Sequence, residues 1–104
     1  MKLKTSEAEG EVLDRLVAQC EGQVYHGPAW TKYSTDWAQA GPIIEREYIS
    51  VLSWLVGAWK ARTTANDGTE YICEGPTALV AAMRCYVASK LGDEVEVEVP
   101  DGLN

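Results

Sequence analysis

The chain has 104 residues, 46% of them hydrophobic and 24% charged, and a net charge of −7. One domain of this length, residues 1–104, can bury a core without metal or disulfides. The acidic balance excludes general binding to a nucleic-acid backbone, which needs clustered Lys and Arg, and no apolar run approaches the roughly 20 residues of a membrane span.

The opening MKLKTSEAEG lacks the apolar core of a signal peptide. Three cysteines, Cys20, Cys73 and Cys85, are an odd count without C-x-x-C spacing, which points to reduced, buried thiols in a cytosolic protein. Residues 1–4 read as a short strand or arm. Ser6 and Glu9 form an S-x-x-E capping box, so a helix is expected from near Glu7, with Val12, Leu13, Leu16, Val17 and Cys20 on its apolar face and Gly22 closing it. Gly10 would weaken its first turn by about 1 kcal/mol relative to Ala.

Residues 23–42 read as an irregular but ordered loop. Two Trp, two Tyr and two Gly-Pro pairs fall there, and a disordered segment would not carry so many large aromatics. Ser34 or Asp36 can close a turn around Trp37. Ile43–Leu52 and Val56–Thr63 alternate like strands, the first with a change of phase near Tyr48. Asn66-Asp67-Gly68 is a hairpin turn, and Thr69–Cys73 is the third strand.

Gly75–Gly92 is the longest stretch without a breaker and reads as a helix capped by Thr77 and ended by Gly92. Leu79, Ala82, Met83 and Tyr86 recur at helical spacing, while Ala81 and Ala88 leave the opposite side nearly as apolar. Such a helix should be covered on one side by the sheet and on the other by a helix or a second subunit, so a homo-oligomer is expected. The tail alternates Val95, Val97 and Val99 with Glu94, Glu96 and Glu98, the pattern of an edge strand with a charged face. The fold class is α+β: two helices on a small antiparallel sheet, a three-stranded meander with the tail as an edge strand or arm.

No catalytic residues emerge. His26 is the single histidine, and no Ser or Cys lies in a nucleophile elbow. The carboxylates at 93, 94, 96 and 98 share a strand face, where a solvated edge outweighs a cation site; no metal and no cofactor is expected. One constellation does suggest binding. Tyr33, Asp36, Trp37, Gly41 and Pro42 bring aromatic faces and a carboxylate, Arg46 and Trp59 come from the strands, and Thr77 and Arg84 come from the long helix. Aromatics, an Arg fork and a helix N-terminus together suit a small anionic, nucleotide-like ligand. The competing reading makes Trp37 and Trp59 core, Asp36 a turn cap, and Arg84 the ion-pair partner of Glu45 or Glu47.

The sequence resembles the NinX-like family of small bacteriophage proteins. The resemblance rests on KTSEAEGEVLDRLVAQCEG at 4–22, YSTDWAQAGPIIERE at 33–47 and GPTALVAAMRCYVASKLGDEVEV at 75–97. Relatives often have Pro where this chain has Ala78, which supports Thr77 as the helix cap. Arg15 stands where relatives tend to have Trp, and the middle at 53–70 is variable. The resemblance implies a phage or prophage origin and a place in the host bacterial cytoplasm; it carries over no reaction.

Two functions follow as expectations, both without turnover. The first is capture of a small nucleotide-like anion, which in a phage would sequester a messenger of host defence. The second is binding of a basic host protein through the acidic stretches 7–14 and 93–101, as an inhibitor or DNA mimic. Neither involves a membrane or direct contact with nucleic acid. An enzyme acting on nucleotides ranks behind both, because no acid–base pair or metal set is legible.

Overall fold

The central element of the computed structural model, which describes residues 2–97, is the helix α3 (Ala78–Leu91). Thr77 caps it, its hydroxyl accepting from the Val80 amide at 3.1 Å. Every side chain from Ala81 to Val87 is buried, as is Ala88. A helix apolar all round belongs at the centre of a domain, and α3 touches almost every other element.

Those elements are β1 (Lys2–Lys4), a 3-10 turn (Thr5–Glu7), α1 (Gly10–Glu21), α2 (Trp37–Arg46), β2 (Ser50–Leu55), β3 (Ala58–Thr64), β4 (Glu70–Gly75) and, after α3, β5 (Glu94–Glu96). The fold is α+β. β2, β3 and β4 form an antiparallel meander in that order, and β1 pairs with β5 in a separate two-stranded ribbon. The sheet covers one side of α3, and α1 and α2 cover the other. The chain therefore wraps α3 by itself, and the expectation that a second subunit completes its cover has no role to fill.

The start of α1 differs from the capping-box reading. Ser6 lies in the 3-10 turn, the helix begins at Gly10, and no side chain caps it. Gly10 sits at φ +57 in the left-handed region, so glycine suits the turn into the helix instead of weakening it. Leu13, Leu16 and Val17 are buried as expected, whereas Val12 is exposed.

The main correction falls at 37–49. Ile43–Arg46 is not a strand but the end of α2, a third helix. Asp36 is its cap, accepting from the Ala38 amide at 2.9 Å. Ala40 and Ile43 bury one face. Pro42 sits inside the helix, where it removes one backbone donor. Gly41-Pro42 therefore reads as a stop in the sequence while the packed face carries the helix through it. The exit also hides. The Ile49 amide donates to Ile44 O at 3.0 Å and the Tyr48 amide to Glu45 O at 3.3 Å, a Schellman ending. Its left-handed position is filled by Tyr48 at φ +52, 87% exposed, where glycine is usual. Tyr48→Gly is expected to stabilise the protein by about 1 kcal/mol. A denaturant titration checks this, and a loss of stability would refute it.

Smaller shifts follow. The second strand starts at Ala58, because Val56-Gly57 is the hairpin turn. The third runs from Glu70 to Gly75, and the Asn66-Asp67-Gly68 turn is present. β5 pairs with β1 in the register Lys2↔Glu96 and Lys4↔Glu94. Val99 and Glu98 of the expected tail strand lie outside the described residues. Buried Thr5 ties this ribbon to the end of α3, its hydroxyl donating to Gly92 O at 3.1 Å and Asp93 O at 3.0 Å.

Candidate functional site

The nine residues singled out in the sequence do not converge. Tyr33 and Pro42 line one groove of about 340 Å³ with His26, Trp30, Gln39 and Glu21. The loop on one side of this groove is held by side chains. Asp14, buried on α1, accepts from the Ser34 amide at 2.8 Å, and Gln39 bonds Lys32 N at 2.8 Å and Trp30 O at 2.9 Å. Asp36 is the α2 cap, as the competing reading had it, but Trp37 is 57% exposed and not core. Gly41 lies within α2.

Arg46 sits on α2, not on a strand, and most of its donors are engaged within the chain. Its Nη atoms reach Glu21 at 3.1 and 2.6 Å, Nε reaches Glu47 at 2.8 Å, and Nη2 reaches the Tyr86 hydroxyl at 3.2 Å. Tyr86 also donates a short hydrogen bond to Glu21. Arg46, hydrogen-bonded to Glu21, holds that carboxyl below its usual range against the opposing effect of burial. Burial pushes the Tyr86 hydroxyl up, and its bond to the Glu21 carboxylate adds to this. The network carries a carboxylate into the groove, so the groove does not suit an anion. Sequence reasoning missed Glu21 and Tyr86 as its hub. The available signal was Tyr86, a polar-tipped ring on an otherwise apolar helix face.

The second location lies at the C-terminal end of β4. Trp59 is half-buried against the core on β3, and Thr77 is the cap of α3. Arg84 is 9% exposed. Glu45 and Glu47 are not its partners. Its Nε donates to Ala8 O at 2.7 Å and Nη1 to Glu74 O at 2.9 Å, and Nη2 stands 4.0 Å from Glu9, whose side chain is 77% exposed. The α3 register turns Arg84 toward the sheet edge and the 3-10 turn, away from α2, where Glu45 and Glu47 are.

Arg84 lines an open cleft of about 590 Å³ together with Ser6, Lys60, Cys73, Gly75 and Pro76, a size within the range of small-molecule sites. Lys60 Nζ is 3.9 Å from Glu74 Oε1, and both side chains are largely exposed. The cleft thus holds Arg84 and Lys60 together with Glu74, which also lines it; the Lys60–Glu74 pair is exposed, and exposed pairs contribute about 0–1 kcal/mol. An anion entering the cleft would have to replace Glu74 at Lys60, a small cost for an exposed pair.

Other features bear on chemistry. Cys73 and Cys85 are buried free thiols and Cys20 is half-buried. Among the described residues, no group of three or more His, Cys, Asp or Glu is placed to hold a metal ion, and no helix is long and apolar enough to cross a membrane. A family model described as Bacteriophage P22, NinX matches residues 4–90, a span that includes α1, α2, the meander and nearly all of α3. No curated protein matches the chain.

Proposed function

This chain belongs to the bacteriophage P22 NinX family, and from that premise we propose that it is a phage accessory protein that captures a small anionic ligand, without turnover, in the cleft between β4 and the start of α3. The observation that carries this reading is the buried guanidinium of Arg84, fixed by two backbone carbonyls, with Glu9, its one carboxylate neighbour among the described residues, at 4.0 Å. A preorganised fork lining the same cleft as the Lys60 ammonium is suited to a phosphate or similar group. The aromatic residues expected to stack a base lie elsewhere, so support is stronger for the anionic end of the ligand than for a nucleobase. In an infected cell such capture would serve to sequester a nucleotide-like messenger of host defence.

The alternative, an acidic surface docking a basic host protein, draws less support. Asp14 is buried and committed to Ser34. Glu94 and Glu96 stand opposite Lys4 and Lys2 across the ribbon, which reduces the local negative charge.

The test is calorimetric titration with pyrophosphate and with adenosine and guanosine mono- and dinucleotides, with the added compound quantified after incubation. Saturable binding of at least one probe is expected, with no loss of probe over time. Lys60→Glu should weaken it at least about 10-fold, or about 1.4 kcal/mol. Absence of binding to every probe, or binding indifferent to Lys60→Glu, would overturn the proposal.

A further inference from the structure

The β2–β3 hairpin is an apolar surface on a strongly acidic protein. Leu52, Trp54, Leu55 and Val56 are 63%, 46%, 58% and 106% exposed. β2 is an edge strand that, among the described residues, pairs with β3 alone. Edges are normally guarded by Lys, Pro or other charged side chains, and Ser50–Leu55 carries none of these. The opposite edge, β4, carries Glu70 and Glu74. The bulge between Ser53 and Leu55 confines regular pairing on β2 to its first half.

We infer that a second copy of this chain covers this edge, its β2 running antiparallel to the first across a two-fold axis. Charge selects the occupant. Residues 48–66 contain no Asp or Glu in a chain that has 16. Two copies, each at −7, repel over most of their surfaces, and here an uncharged strand meets an uncharged strand. The nearby cations Lys60 and Arg62 have exposed carboxylate neighbours at 3.9 and 3.8 Å, and Lys60 Nζ lies 4.3 Å from the centre of the Trp54 ring. An identical strand matches the uncharged patch in both register and polarity. At these exposures the four side chains offer on the order of 500 Å² per chain, so two copies together reach the roughly 1,000 Å² of a specific interface. This surface lies away from the buried face of α3 and adjoins the cleft, whose lining includes Gly57, Ala58 and Lys60.

Native mass spectrometry and light scattering of the full chain, at tens of micromolar, test it. A dimer is expected. Leu52→Lys and Val56→Lys each place a charge on an already exposed position, and each should raise the dissociation constant at least about 10-fold with unchanged far-ultraviolet circular dichroism. Trp30→Lys, on the exposed loop at the groove, should leave the dimer intact. A monomeric wild type, or a dimer insensitive to both hairpin lysines, would overturn the inference.

Discussion

Arg84→Met is expected to lower stability by about 3 kcal/mol and to abolish anion binding in the cleft. Methionine keeps much of the apolar stem but removes the donors to Ala8 O and Glu74 O. Replacing a buried charge by an apolar side chain can be neutral when its partners leave with it. Here the partners are main-chain carbonyls and stay behind, and an orphaned buried acceptor costs about 1–3 kcal/mol. For a domain of this size the loss corresponds to a fall in melting temperature of roughly 15–20 °C. Arg84→Lys should recover only part of it, because one ammonium cannot reproduce a fork aimed at two separate carbonyls. Denaturant titration and thermal melting of the three proteins decide the matter, and a deficit below about 1 kcal/mol for Arg84→Met would show that the guanidinium does not hold the 3-10 turn and β4 together.

Gly75→Ala should destabilise by about 2 kcal/mol through a different cause, overpacking against backbone. A Cβ at Gly75 would stand 2.7 Å from Ala81 N and 3.1 Å from both Ala81 Cα and Val80 Cγ1. The obstacle is the first turn of α3, which cannot swing aside as a side chain would. The same change at Gly41 meets nothing within 4 Å beyond its chain neighbours and lies inside α2 directly before Pro42, where the gain in helix propensity of about 1 kcal/mol is offset by the crowding of a Cβ against the following proline ring. A clearly larger loss for Gly75→Ala than for Gly41→Ala is therefore expected in one set of melts. If Gly75→Ala melts with the wild type, the close approach of β4 to α3 is not a packing constraint.

Much of the fold is legible from residue order. The α3 helix, its Thr77 cap, the burial of Ala81 and Ala88, the hairpin at 66–68 and the Gly22 ending of α1 all follow from local rules of spacing and capping. α2 is not legible in the same way, because two of its signals are misleading. Pro42 stands inside it and Tyr48 occupies the position where glycine marks an end. The site was half legible. That Arg84 needed a named partner followed from a charge on an apolar helix, but the partners themselves, the carbonyls of Ala8 and Glu74, are backbone groups with no signature in side-chain chemistry. Of the aromatics of residues 30–37, Trp30 and Tyr33 line a separate groove with Glu21, and Trp37 is exposed.

By itself, the sequence determined the periodic elements, the central place of α3 and the membership of a phage family, because helical spacing and cap chemistry act over a few residues. Only the tertiary structure decided which side of α3 receives Arg84, that Arg46 is spent on Glu21 and Glu47, and that one chain suffices to enclose the helix. Those outcomes depend on contacts between residues as far apart as 8 and 84, and local pattern carries no information about which distant backbone will arrive there.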